Sequence, residues 1–141
     1  MSEVGEIGSS EGGKPTQAKG FMRLIRAANH SIDGIGAALK HEAAFRQEIV
    51  LACILIPLAI VLELPVTEKV LLVGVLFFVL VTELLNTAVE CCIDYISFDL
   101  HPIAKRAKDL GSAAVFLTLV FAGATWGLVL WANWPLEFLW A

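Results

Sequence analysis

Charge is scarce in this sequence. Of its 141 residues only 17% are charged, whereas 57% are hydrophobic, a balance that favours one small membrane domain. Basic residues form no patch interleaved with aromatic residues, so nucleic-acid binding has no support. The three cysteines, Cys53, Cys91 and Cys92, follow no metal-ligand spacing, and we expect them to pack as small apolar residues.

Familiar targeting and phosphate-binding motifs are also missing. Residues 1–19 lack an apolar stretch, so we expect a disordered tail there and no cleavable signal peptide. The chain has no GxxxxGK[ST], and the pair Gly34 and Gly36 lacks the third glycine of a dinucleotide fingerprint. The residues alone therefore do not identify a nucleotide.

Three long apolar runs predict three membrane-spanning helices, each near the ~20 residues that ~30 Å of hydrocarbon requires. Before them, apolar residues recur at three- and four-residue steps from Phe21 to Leu39, which predicts an amphipathic helix on the membrane surface. We therefore expect an all-α membrane protein. Its parts are a tail (1–19), a membrane domain (20–134) with a surface helix (about 20–40) and spans (about 43–64, 69–97 and 109–134), and a C-terminal extension (135–141).

The basic residues predict the orientation of the spans. All of them except Lys69 lie before or at the start of the first span, or between the second and third spans. Because cytoplasmic loops carry the excess of Lys and Arg, the N-terminus is expected in the cytoplasm and the C-terminus on the outer, periplasmic side.

Four polar residues interrupt the second span: Glu83, Asn86, Glu90 and Asp94. At ~100° per helical residue they fall at roughly 0°, 300°, 340° and 20°, on one face less than a quarter-turn wide. We call these four residues the polar stripe. Since an ionised carboxylate in hydrocarbon is costly unless it pairs, binds a cation or stays protonated, the stripe indicates a functional site.

The stripe is compatible with more than one chemistry. Glu42 and Glu90 could hold Mg²⁺ from two helices, Glu83 could act as a general base, and Lys108 could hold a phosphate, which together describe phosphoryl transfer. Intramembrane acids also serve as proton or cation relays in transporters. In a purely structural interpretation, Asn86 and Glu90 bond neighbouring helices, and Glu42 pairs with Arg46.

Three blocks of sequence resemble the prokaryotic diacylglycerol kinase family: EAAFRQE at Glu42 to Glu48, ELLNTAVECCID at Glu83 to Asp94, and RAKDLGSAAV at Arg106 to Val115. The resemblance covers roughly Gly20 to Trp134. It implies a small membrane kinase with a surface helix and three spans per chain, assembled as a homotrimer with sites between subunits. Such an enzyme phosphorylates diacylglycerol with MgATP to give phosphatidic acid, which returns the lipid to phospholipid synthesis.

The resemblance also implies roles for individual residues. Glu83 matches the catalytic base, Asn86 would orient the base or the phosphate, and Glu42 and Glu90 match the Mg²⁺ ligands. Further positions match nucleotide contacts: Arg23, His30, Asp99, His101, Lys108 and Asp109, with Glu42 and Glu90. Lipid-side or structural positions are Arg23, Ser31, Gln47, Glu48, Ser112 and Trp126, with Glu83.

A related branch of the family phosphorylates undecaprenol, and HEAAFRQE at His41 to Glu48 favours the diacylglycerol branch. The resemblance places the protein in the bacterial inner membrane as a multi-pass protein. Small residues on the third span would allow close helix approach in a trimer: Gly111, Ser112, Ala113, Ala114, Ala122, Gly123 and Ala124.

Overall fold

The computed structural model describes residues 20–96 and 101–133. Within them four helices follow one another without a strand: α1 (Gly20–His41), α2 (Ala43–Val61), α3 (Val66–Ile96) and α4 (Pro102–Ala132). The predicted all-α class is confirmed. The expected tail over 1–19 and the C-terminal extension over 135–141 lie outside the described residues.

The chain divides into two compact units, residues 1–33 and residues 34–141. In the first unit, residues 20–33 are helical and all of their side chains are exposed. Ser31 donates a hydrogen bond from Oγ to the carbonyl oxygen of Ala27 at 2.9 Å, one helical turn earlier. In the second unit the last residues of α1 lead directly into α2.

Helices α2, α3 and α4 are each long and apolar enough to cross a membrane. They have 19, 31 and 31 residues, so α3 and α4 exceed the ~20 residues that the hydrocarbon core requires. Many large apolar side chains remain exposed along all three helices. Water would penalise such a surface, whereas lipid tails would not.

Helix α3 is the central element, since it packs against both α2 and α4. The core consists of small and branched apolar side chains around one indole: Ala59, Leu72, Val75, Leu76, Val79, Ala122 and Trp126. Trp126 donates a hydrogen bond from Nε1 to the carbonyl oxygen of Leu72 at 3.3 Å, which satisfies the buried N–H and joins α4 to α3.

The turn between α2 and α3 is held by backbone and side-chain hydrogen bonds. The carbonyl oxygen of Pro65 accepts from the backbone N–H groups of Glu68 and Lys69, and Lys69 donates from Nζ to the carbonyl oxygen of Ile60 at 2.7 Å. These hydrogen bonds satisfy backbone carbonyl and amide groups that have no partner within the helices at their ends. At the same end, Asn133 donates from Nδ2 to Glu68 Oε2 at 2.8 Å, which ties α4 to α3.

At the opposite end of the bundle, the C-terminus of α1 and the N-terminus of α4 are capped in different ways. Arg46 donates from Nη1 to the carbonyl oxygens of Leu39 and Lys40, at 3.2 and 3.3 Å, and so closes the C-terminus of α1. His101 accepts at Nδ1 from the backbone N–H of Ile103 at 3.2 Å and caps α4, with Pro102 in the first turn. This end of the bundle contains the polar stripe.

Candidate functional site

Glu83 is a buried carboxyl group in the middle of an apolar helix. Only 5% of its surface is exposed, and it is the only buried acidic or basic residue among those that the structure describes. Desolvation disfavours a buried ionised carboxyl, so such a group normally has a partner or a functional reason to be there.

Three further glutamates surround Glu83. The carboxyl groups of Glu42 and Glu90 act on it electrostatically, and Glu83 in turn acts on Glu48. Of the four glutamates, Glu42 precedes α2 and Glu48 lies near its start, whereas Glu83 and Glu90 lie on α3. The antiparallel packing of α2 against α3 brings these segments together. We call Glu42, Glu48, Glu83 and Glu90 the acid cluster.

The acid cluster has little positive charge to balance it. Within residues 20–96 and 101–133, the ion pairs are Lys105 with Asp109 and Lys108 with Asp94, and neither includes a member of the cluster. Carboxylates gathered in a partly buried place repel one another unless a proton or a cation is shared among them. The cluster is therefore suited to binding a cation or to accepting a proton.

Glu42 is free to take part in this site because of the backbone around it. It lies in the break between α1 and α2 with extended backbone angles (φ −103°, ψ 117°), and its side chain does not cap α2. The structural alternative, an ion pair with Arg46, is not formed in the structure. Arg46 bonds the end of α1 instead.

Asn86 lies one turn from Glu83 and is held by Glu90. Its Nδ2 donates to Glu90 Oε1 at 3.2 Å, while its Oδ1 is buried without a hydrogen-bond partner. A Cβ atom added to Gly111 of α4 would overlap this Oδ1. A glycine at position 111 is therefore required for α4 to pack against the side-chain amide of Asn86 in its present orientation.

Two lysine–aspartate pairs lie near the start of α4. Lys108 donates a hydrogen bond from Nζ to Asp94 Oδ1 at 2.5 Å, which joins α4 to the last turn of α3. Lys108 also interacts electrostatically with Glu90. Lys105 donates to Asp109 Oδ2 at 2.6 Å along α4 itself, and both of these side chains are mostly exposed. Lys108 and Asp109 therefore point to different partners.

An apolar cavity of about 240 Å³ adjoins the acid cluster. Apolar residues of α2, α3 and α4 form its walls, including Leu55, Val79 and Trp126, and Glu48 contributes the one carboxyl group of its lining. Oε2 of Glu48 is buried without a hydrogen-bond partner. The cavity is thus an apolar space with one unsatisfied carboxyl oxygen at its wall.

The donor set of the acid cluster fits Mg²⁺ when the ion arrives with a nucleotide. No group of three or more His, Cys, Asp or Glu side chains in the described part of the chain is compact enough to hold a metal. Mg²⁺ is usually bound by one or two carboxylates, with phosphate oxygens and water completing its six ligands. Glu42 and Glu90 can supply such a pair of carboxylates.

The other predicted site residues are exposed, cap a helix or lie outside the described residues. Arg23, His30 and Ser31 belong to the first compact unit and are exposed. Gln47 and Ser112 are exposed on α2 and α4. Asp99 lies outside the described residues, and His101 serves as the cap of α4.

Three features of the site were not predicted from the sequence. The pairing of Asp94 with Lys108 joins residues 14 positions apart, and no helical periodicity connects residues on two different helices. The contact of Gly111 with Asn86 is similarly a matter of helix packing. The periodicity of the polar stripe predicted that Asn86 and Glu90 share one face of a helix, but the hydrogen bond between them was not predicted.

The sequence of the chain is similar to those of several known proteins. Residues 29–130 match the family described as prokaryotic diacylglycerol kinase. The chain is similar to the diacylglycerol kinase of Pseudomonas aeruginosa, with 41% identity over 79% of this chain and 90% of the relative. It is also similar to the diacylglycerol kinases of Escherichia coli strain K12 (40% identity, 81% and 93% covered) and Haemophilus influenzae (43% identity, 79% and 94% covered).

We predict that Gly111→Ala displaces Asn86 without unfolding the bundle. The added methyl group overlaps Asn86 Oδ1, so the amide turns away and its hydrogen bond to Glu90 is lost, at a cost of about 1 kcal/mol. The side-chain amide resonances of Asn86 should shift in the NMR spectrum of the detergent-solubilised protein.

Gly127→Ala is the matched control, because nothing lies within 4 Å of a Cβ atom added there. It should leave the Asn86 resonances in place and be the more stable variant in thermal unfolding. Unchanged Asn86 resonances in Gly111→Ala would show that Gly111 does not set the orientation of the amide.

Proposed function

The chain belongs to the prokaryotic diacylglycerol kinase family, and we propose that it transfers the γ-phosphate of MgATP directly to diacylglycerol, forming phosphatidic acid. One observation carries the proposal: the buried Glu83 belongs to an acid cluster, and another member of that cluster, Glu48, lines an apolar cavity. The relatives described above are named diacylglycerol kinases, which favours this lipid over undecaprenol.

Glu83 is the general base. Its burial keeps bulk water away, so its carboxylate, once ionised, accepts the proton of the lipid's primary hydroxyl instead of a proton from solvent. As the proton moves to Glu83, the hydroxyl oxygen bonds to the γ-phosphorus and the bond from that phosphorus to the β–γ bridging oxygen breaks, which releases ADP. No phosphoenzyme is needed, because the base and the acceptor lie in one site.

Glu48 and the apolar cavity hold the lipid. The unpartnered Oε2 of Glu48 accepts a hydrogen bond from the glycerol end, and the apolar walls, with Trp126, take the adjoining part of the acyl chain. Gln47, Ser31 and Ser112 are further lipid-side candidates, on the family resemblance.

Glu42 and Glu90 would hold Mg²⁺, and the ion would supply positive charge that stabilises the charge on the phosphates of ATP. Asn86, bonded to Glu90 at 3.2 Å, fixes the direction of that carboxylate and presents its own amide to the reacting groups.

Lys108 offsets phosphate charge from the α4 side of the site, and Asp109 contacts the nucleotide. Arg23, His30, Asp99 and His101 contact the nucleotide as the family resemblance implies. ATP is cytoplasmic, so the site opens to the cytoplasm, with the N-terminus inside and the C-terminus in the periplasm. This orientation agrees with the distribution of Lys and Arg.

Three chains form a homotrimer with shared sites. Of the small residues on α4, Ala122 packs in the chain's own core and Gly111 faces Asn86. Five others are exposed and available for close approach of another chain: Ser112, Ala113, Ala114, Gly123 and Ala124. Asp109 is largely exposed and pairs with Lys105 on α4, without joining the Asp94–Lys108 pair of its own chain, so we assign it to the site of a neighbour.

Labelled γ-phosphate from ATP should appear in phosphatidic acid when the protein is given a lipid extract. Glu83→Gln keeps the size of the side chain but removes the base, so the rate should fall on the order of 10²- to 10⁴-fold. Equilibrium binding of MgATP should be retained. Glu63→Gln, an exposed carboxylate at the opposite end of the bundle, is the matched control and should keep its activity.

Label in undecaprenyl phosphate would move the protein to the other branch of the family. Ion flux in sealed vesicles without ATP consumption would favour a transporter. Near-normal turnover by a folded Glu83→Gln protein would overturn the assignment of the base.

Glu42→Ala and Glu90→Ala should each raise the Mg²⁺ concentration required for half-maximal activity on the order of tenfold or more, because each removes one metal-binding carboxylate. The Mg²⁺ dependence is measured at fixed ATP in detergent micelles, with Glu63→Ala as the control. An unchanged Mg²⁺ dependence in both variants would contradict the metal assignment.

Mixing two inactive variants tests the shared site. Glu83→Gln chains and Asp109→Asn chains, dissociated and reassembled together, should recover activity, because some mixed trimers then contain a site with both groups intact. A mixture of Glu83→Gln and Glu90→Ala should not, since both residues come from one helix. Absence of recovery in the first mixture would argue against Asp109 serving a neighbouring site.

A further inference from the structure

Asp94 is the member of the polar stripe without a role in the proposed mechanism. It lies 11 residues beyond Glu83, or ~16 Å along α3, too far to share a proton with the base. Its Oδ1 instead accepts a hydrogen bond from Lys108 Nζ at 2.5 Å. The side chains of Asp94 and Lys108 are 48% and 37% exposed, so the pair remains accessible to a ligand.

The Asp94–Lys108 pair sets the position of a flexible side chain. A lysine ammonium is carried on four methylene groups and would otherwise sample many rotamers. Asp94 takes one of its three N–H donors. Two donors remain for phosphate oxygens, and Lys108 is the only hydrogen-bond donor to Asp94 in the described part of the chain.

The pair also lies next to the other hydrogen bond of the polar stripe. Asn86 donates to Glu90 at 3.2 Å, Glu90 acts electrostatically on Lys108, and Lys108 donates to Asp94. Asn86, Glu90 and Asp94 are successive at four-residue steps, so they stand in a row on α3. The ammonium group of Lys108 is therefore held by Asp94 on the same face of α3 that carries Glu90, the residue assigned to the metal.

We infer that Asp94 is a positioning residue, which holds the ammonium group of Lys108 where it meets the phosphates of ATP. The inference rests on the proposed function. A half-exposed ion pair adds little to the stability of a protein, so the consequence of the pair is the placement of Lys108 and not the strength of the fold. Asp94 does not contact the nucleotide and acts only through Lys108.

Asp94→Asn should lower kcat/KM for MgATP about tenfold, the size of one well-placed charged hydrogen bond. KM for diacylglycerol should change less than about twofold, since Lys108 does not contact the lipid. Asp94→Glu keeps the carboxylate and should recover most of the loss. Glu63→Gln removes a carboxylate at the opposite end of the bundle and serves as the control.

A double-mutant cycle separates positioning from a structural role. Equilibrium binding of MgATP is compared in Asp94→Asn, Lys108→Met and the double variant, each as the full chain in detergent. If Asp94 acts through Lys108, adding Asp94→Asn to Lys108→Met should weaken binding less than about twofold further. An additional loss as large as in the wild-type background would overturn the inference, because Asp94 would then act by itself.

Two other results would also overturn the inference. One is an active Asp94→Asn protein with unchanged kcat/KM for MgATP. The other is loss of helical circular dichroism in Asp94→Asn, which would make the residue a support of the fold. Failure of the proposed function is distinguishable, because the wild-type chain itself would then transfer no label to lipid.

Discussion

The cost of burying the Glu83 carboxyl group in an apolar bundle governs this structure. Glu83 has 5% of its surface exposed and lies on the central helix α3, where an isolated charge would be expelled or neutralised. Glu42 and Glu90 raise this cost further by like-charge repulsion. A bound cation or a shared proton would lower it.

Helix α3 is long enough to carry both an apolar core segment and a polar segment. Its first turns carry the apolar core around Leu72 and Trp126, and its last turns carry the polar stripe. Because α3 packs against both α2 and α4, acids from the start of α2 and a lysine from the start of α4 reach the same part of α3. The caps at Arg46 and Asn133 keep the ends of these helices in place without drawing on the acid cluster.

Apolar and polar functions meet at Glu48. One side of it faces the acid cluster through Glu83, and the other closes an apolar cavity lined by residues of all three long helices. A substrate with an apolar chain and a hydroxyl group combines these two properties. The chemistry proposed for the site thus depends on the boundary between the acid cluster and the apolar cavity. Residues of several helices form this boundary, so a single helix could not create it.

Much of the fold was predictable because it depends on local patterns. Apolar runs of sufficient length, the three- and four-residue steps of α1 and the four-residue spacing of Asn86 and Glu90 are properties of single helices. They were readable without knowledge of packing, and the family blocks were readable in the same way. For the surroundings of Glu83, the sequence indicated only that Glu42 and Glu90 could approach each other from two helices.

The sequence by itself determined the helical class, the three apolar helices, the face of α3 that is polar and the family to which the chain belongs. Tertiary structure alone decided that Lys108 pairs with Asp94, that Gly111 lies against the amide of Asn86 and that Glu48 ends an apolar cavity. The physical reason is that periodicity along one helix sets which residues share a face. Which residues of another helix contact that face depends on how the two helices pack. At Gly111 the packing is so close that one added methyl group would overlap Asn86.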